Sequence, residues 1–128
     1  FWEPWERLCD NLLDQGMISE HDKNLYMVAS SIEAAIEEVT RFFRVYHSQR
    51  FVDDLLVLRL DREVSDATLM ALNDEFGDIV TSGEIFRTAP LDAEVSTNDN
   101  LDLPRLAFAF DRRSYGRLRV LIDRLNEA

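Results

Sequence analysis

A chain of 128 residues with 46% hydrophobic content holds enough apolar area for one ordinary domain, or for a small domain plus a segment of another. Its net charge of −11 works against binding to nucleic acid or to an anionic membrane surface, since both need basic residues facing phosphates. The single Cys9 rules out an internal disulfide, no apolar run approaches the roughly 20 residues of a membrane span, and the first residues lack the basic-then-apolar order of a signal peptide. The expected location is therefore the cytoplasm, and a chain that opens on Phe1 without an initiator Met reads as a cleaved or excerpted polypeptide.

Pro4 to Gln15 reads as a helix, because Trp5, Leu8, Cys9 and Leu12 recur at the spacing of one apolar stripe. Pro4 suits its first turn and Gly16 its C-terminal cap. After a polar turn through Lys23, the apolar run Leu25-Tyr26-Met27-Val28 has the length of a buried strand. Ser30 followed by Glu33 forms a capping-box pattern, opening a second helix with Ile32, Ala35, Ile36, Val39, Phe42, Phe43 and Tyr46 on one face. Helix, turn, apolar strand and capped helix in this order describe the closing βα unit of an α/β sheet.

This opening third resembles the last segment of the LOG family, the Rossmann-like cytokinin riboside 5'-monophosphate phosphoribohydrolases also called lysine decarboxylase-like proteins. The resemblance lies in the aromatic pair Phe1-Trp2, the amphipathic helix, Gly16-Met17-Ile18-Ser19 where the family has Gly-Phe-Ile-Ser or similar, the apolar run and the helix after a small polar turn. It implies that residues 1–45 are the C-terminal segment of a Rossmann-like domain. The implied parent is a hydrolase that splits a purine nucleoside 5'-monophosphate into free base and ribose 5-phosphate, with no metal or redox cofactor. The family's Pro-Gly-Gly-x-Gly-Thr-x-x-Glu motif has no counterpart here, and Gly16, Gly77, Gly83 and Gly116 each stand alone, so no phosphate cradle is built. No catalytic residue is assigned to this chain.

Tyr46 to Arg50 reads as a junction, and residues 46–128 as a small α+β extension. Phe51 to Leu60 alternates as a strand, with Leu56, Leu58 and Leu60 on one face. Ser65 caps a helix whose stripe is Leu69, Leu72 and Phe76, ending near Gly77. Ile79 to Thr88 supplies a second strand region broken at Ser82-Gly83, and Pro90 to Pro104, polar and Asn-rich, reads as a long loop. Arg105 to Phe110 alternates again, with Leu106, Phe108 and Phe110 toward a core. Asp111 or Ser114 caps a last helix that buries Tyr115, Leu118, Leu121, Ile122 and Leu125 and turns Arg113, Arg117 and Arg124 outward. The order β-α-β-β-α predicts a three-stranded antiparallel sheet under two helices, a ferredoxin-like or ACT-like module without its final strand. Exposed edges on such a sheet predict a homo-oligomer or docking onto an upstream Rossmann-like domain. His47-Ser48-Gln49-Arg50-Phe51-Val52 and Phe110 to Leu118 are similar to a junction and a helix-start element in the C-terminal extension of some longer LOG-family proteins, an extension for which the resemblance implies no activity.

Few side chains carry chemistry. Cys9 lies on an apolar stripe without a histidine at useful spacing, and neither His21 nor His47 has metal-ligand neighbours, so no metal site is expected. Glu37-Glu38 and Asp53-Asp54 are adjacent and point apart, unlike an acid/base pair. The one candidate ligand site is the corner Asp111 to Gly116, where Arg112, Arg113 and Tyr115 meet a helix start and would bind an anion. The competing reading is charge matching: residues 51–104 hold 13 acidic against 3 basic residues, and residues 105–128 hold 6 Arg against 3 acids. Three functions stay open: the C-terminal portion of a LOG-like N-glycosidase whose parent would take a nucleoside monophosphate, an ACT-like regulatory module that binds a small molecule, and a structural oligomerisation domain.

Overall fold

The computed structural model describes residues 1–128 and is an α+β fold. Helix α1 (Glu3–Asp14) starts with Pro in its first turn and closes on Gly16, whose positive φ lets the Met17 N–H reach back to the Leu12 carbonyl. A 3₁₀ turn over Glu20–Leu25 follows, and Lys23 ties it to Asp10 of α1 at 2.7 Å. The expected strand at Leu25 to Val28 is absent. Leu25 ends the 3₁₀ turn, and the extended residues after it lie beside no other strand, so no ladder can form.

Helix α2 (Ile32–Phe42) is capped by Ser31, one residue later than expected, which accepts the Ala34 N–H at 3.1 Å. It ends at Phe42 and does not run on to Tyr46. The cause is a side chain 80 residues away: Asn126 Oδ1 accepts the N–H groups of Val45 (2.8 Å) and Tyr46 (3.0 Å), and its Nδ2 donates to the Phe42 carbonyl. That one amide turns the chain out of the helix and into β1 (Tyr46–Val52), so the expected junction is itself a strand. β1 and β2 (Leu55–Leu60) form a hairpin through Asp53-Asp54, with Asp53 in the left-handed region; the single strand expected from Phe51 to Leu60 is thus divided by a turn.

Beyond the hairpin come α3 (Asp66–Phe76), capped by Ser65, then β3 (Phe86–Thr88), α4 (Asp92–Thr97), β4 (Arg105–Phe108) and α5 (Tyr115–Asn126). The sheet has four strands in the order β1-β2-β4-β3, all antiparallel neighbours, where three were expected. β2 and β3 are consequently parallel with β4 between them, and β1 occupies the open place beside β2. Leu56, Leu58 and Leu60 of β2 face the main core with Leu106, Phe108 and Phe110, together with Leu72 and Phe76 of α3 and Leu118, Leu121, Ile122 and Leu125 of α5. Ala109 and the other alternate residues lie on the opposite face, as the alternation predicts; Tyr115, expected in the core, is instead 41% exposed.

The second face of the sheet is covered too. α4 lies within the stretch read as a loop; Leu91 and Ala93 pack against Val52, Val57 and Ala107 there. No helix is long and apolar enough to cross a membrane.

Candidate docking surface and buried charge cluster

Burial divides the chain unevenly. Among the first 44 residues only Cys9 is buried. Phe1, Trp2, Trp5, Leu8, Met17, Leu25, Met27, Ile32, Ile36, Val39 and Phe43 are all exposed, whereas after Phe43 only Met70, Phe86, Val95 and Tyr115 among the large apolar residues are. Isolated exposed apolar residues are ordinary, but a concentration of this kind marks an interaction surface. On α1 and the extended segment after the 3₁₀ turn, Trp2, Trp5, Tyr26, Met27, Val28 and Ala29 line one cavity of about 430 Å³, and the rings of Trp5 and Tyr26 meet edge to face at 5.7 Å.

This segment is nonetheless fixed to the rest of the chain, chiefly along α5. The 3₁₀ turn packs on the first turn of α5 at Gly116, while Arg119 of α5 bonds Glu38 of α2 and lies 4.8 Å over the Phe42 ring. Burial raises the Glu38 carboxyl, and its bonds to Arg119 and Arg41 more than offset this, holding it below its usual range. The surface is therefore presented in a defined orientation.

At the corner expected to bind an anion, the three side chains have separate occupations. Arg112, with φ of 57°, stacks 4.5 Å over Phe51 and donates to the Asp53 carbonyl at 2.6 Å, pinning the β1–β2 turn. Tyr115 meets Phe110 edge to face at 5.2 Å, and Arg113 is exposed. Asp111 accepts the N–H groups of Arg113 and Ser114, both at 2.9 Å, so a carboxylate already fills the helix start. Burial raises this carboxyl, but the bonds from Ser114 and Arg113 hold it below its ordinary value.

The arginines do match the acidic middle of the chain. Arg117 holds Asp78 through two nitrogens at 2.9 and 3.0 Å, and Arg124 reaches Glu75 at 3.4 Å. The largest such cluster was not expected. Glu94 of α4 is fully buried between Arg59 of β2 and Arg105 of β4, register partners on the second face. Oε1 accepts from Arg59 Nε (3.0 Å) and Nη2 (2.8 Å), and Oε2 accepts from Arg105 Nε at 3.1 Å. Arg105 also donates to the carbonyls of Asp99, Asn100 and Leu103, while Asp99 bonds Arg50. No buried side-chain nitrogen or oxygen lacks a partner, so this is a closed network that fastens α4 to the sheet. The readable signal was an arginine in each of two otherwise apolar strands, the last but one residue of β2 and the first of β4, which requires a buried acid somewhere.

Cys9 is enclosed on the inner side of α1, His21 contributes its backbone to the contact with Gly116, and His47 Nδ1 lies 2.9 Å from Ser48 Oγ. No three His, Cys, Asp or Glu side chains converge in a way that would hold a metal ion. No family model, curated protein or solved structure matches this chain.

Proposed function

We propose that this chain is the C-terminal portion of a LOG-like nucleoside 5'-monophosphate N-glycosidase. Residues 1–45 complete the upstream Rossmann-like domain, and residues 46–128 form a ferredoxin-like assembly module in which β1 stands where the final strand of a β-α-β-β-α-β unit would. The observation that carries the reading is the N-terminal surface: an amphipathic helix with Trp2, Trp5 and Leu8 exposed, and a neighbouring extended segment with Met27 exposed, held in place but covered by nothing in this chain. A segment that finishes another domain's core has this distribution, because its buried face belongs to residues elsewhere. The sequence resemblance supplies the identity of that domain, and the buried arginines Arg59 and Arg105, each spent on a partner within the chain, support an assembly role for the remainder.

The test compares this chain with the complete product of its coding unit. With AMP as substrate, the 128-residue chain releases no adenine above a heat-killed control, while the complete product, carrying the Pro-Gly-Gly motif upstream, releases adenine and ribose 5-phosphate. Trp2 and Trp5 are the only tryptophans of this chain. Their fluorescence, taken as the difference from a Trp2→Phe/Trp5→Phe variant, is quenched by acrylamide in the short chain and protected in the complete product. Turnover by the short chain, an inactive complete product, or equal quenching in both would each overturn the proposal.

A further inference from the structure

We infer that the groove between α3 and β3 is a docking site for a short extended peptide of another protein, one that combines an apolar residue with a basic one. β3 is one edge of the sheet. The Leu60 N–H bonds the Pro104 carbonyl, and bonding alternates along an antiparallel strand, so Leu106 and Phe108 bond toward β2 while Arg105 and Ala107 bond toward β3. Their register partners Thr88 and Phe86 use their backbone groups on β4, and the N–H and C=O of Ile85 and Arg87 therefore point away from the sheet. At Ile85 both groups are taken: the Asn73 amide of α3 accepts the N–H at 2.7 Å and donates to the carbonyl at 2.9 Å. That amide makes, from a side chain, the paired bonds of an added strand. At Arg87 the same two groups have no partner, and the guanidinium is spent on Asp66 and the Val64 carbonyl. An open rung of this kind is completed by the backbone of an extended segment.

The groove alongside, about 810 Å³, selects the side chains of that segment. Met70 and Phe86, 73% and 36% exposed, line it with Leu69, and they are two of the four large apolar residues exposed after Phe43. Asp74 and Glu84 line it as well; both are exposed, and neither forms an ion pair within the chain. Apolar walls beside two uncommitted carboxylates complement an apolar anchor and a basic residue. A second copy of this chain fits poorly. Its β3 laid antiparallel on this one through the Arg87 rung would set Arg87 directly against Arg87, a destabilising like-charge pair, and would bring a second Asp74 and Glu84 to the same groove. No residue of 1–45 lines the groove, so the inference stands apart from the upstream domain.

Selection of a random-peptide phage library on the immobilised chain, followed by fluorescence anisotropy and amide hydrogen exchange with the enriched peptides, tests this. The enriched peptides are expected to carry Lys or Arg beside β-branched or aromatic residues. The Arg87 amide exchanges fast in the free chain and becomes protected when a peptide binds. Met70→Glu weakens binding by about tenfold or more, and Asp74→Lys/Glu84→Lys turns the selection toward acidic peptides. Both variants alter exposed side chains and keep the wild-type urea midpoint. The inference is overturned if no peptide is enriched, if the Arg87 amide is already protected in the free chain, as pairing with a second copy would make it, or if it stays unprotected in the complex. It is equally overturned if Met70→Glu binds the peptides as the wild type does, or if the charge variant still selects basic ones.

Discussion

Gly116, in the first turn of α5, lies so close to His21 that a Cβ on it would sit 2.2 Å from the His21 carbonyl oxygen and 2.6 Å from the Asp22 nitrogen. Both obstacles are backbone, which cannot swing aside as a side-chain tip would. This contact is where the 3₁₀ turn docks on the main body, and it explains why a residue poor in helix propensity is placed inside a helix.

Gly116→Ala separates two effects of opposite sign. Alanine favours the helix by about 1 kcal/mol, while overpacking against fixed backbone costs about 1–3 kcal/mol. The clash is expected to win, with the response confined to the N-terminal segment. Limited proteolysis should show faster cutting within residues 15–30 and unchanged resistance in residues 46–128. A stabilised variant with no new cleavage would mean that the 3₁₀ turn yields to a methyl group at this contact without cost.

Asn126 joins the end of α2, the start of β1 and the end of α5 through three hydrogen bonds made while 2% exposed. Asn126→Ala strands two N–H groups and a carbonyl, and each unsatisfied buried group costs about 1–3 kcal/mol. A loss of about 2–4 kcal/mol in urea denaturation is expected, with water regaining some of the partners. Asn126→Asp is expected to be damaging as well, because it retains the acceptor for Val45 and Tyr46 but turns an oxygen toward the Phe42 carbonyl. Near-wild-type stability of both variants would contradict this role.

Arg117 spans α5 and the end of α3: it holds Asp78 with two nitrogens, donates to the Glu75 carbonyl at 2.7 Å, and lies 4.6 Å from the Phe76 ring centroid. The bond from Arg117 leads in holding the Asp78 carboxyl below its usual range. A lysine keeps the charge but loses the fork and the stack. Arg117→Lys is therefore expected to lose most of what Arg117→Ala loses, about 1 kcal/mol for a partly exposed pair. Thermal denaturation of the two variants checks it, and full retention of stability by the lysine variant would reduce the contact to simple charge.

The helices α1, α3 and α5 and the inward set Leu56, Leu58, Leu106 and Phe108 were legible because each depends on local periodicity and capping. What escaped depends on distant partners. Nothing local says that α2 stops at Phe42, since the amide that stops it is Asn126. α4 has no apolar stripe and its N-cap is Leu91, so the usual Ser, Thr, Asp or Asn cap is missing; Glu94 supplies the cap, accepting the Leu91 N–H at 3.2 Å. The run Leu25 to Val28 has strand composition, but composition cannot supply a neighbouring strand. At the candidate sites, the apolar face of α2 is visible as periodicity, but sequence alone does not distinguish a core-facing stripe from one left exposed, as Ile32, Ile36, Val39 and Phe43 are.

Glu94 gives the fold its clearest pH dependence. Burial raises its carboxyl, but the Leu91 N–H and the guanidinium groups of Arg59 and Arg105 outweigh burial and hold it below its usual range. A carboxyl depressed in the folded state binds fewer protons there than in the unfolded chain, so its contribution is complete above the unfolded value of about 4.3 and is lost as pH falls through the folded value. Stability should therefore decline below about pH 4.3, with Glu38, Asp78, Asp99 and Asp111 adding to the slope, since each is also depressed. Glu94→Ala, which leaves two buried guanidinium groups without a counter-charge, is expected to cost about 3–5 kcal/mol at neutral pH. Glu94→Gln keeps the shape and one acceptor and should cost less, while flattening the acid limb of the stability curve. Urea midpoints measured from pH 7 down to pH 3 for wild type and Glu94→Gln test this directly. An unchanged acid slope in the glutamine variant would place the pH dependence elsewhere, and a neutral-pH stability equal to wild type would mean that α4 is held by its apolar contacts with Val57 and Ala107 alone.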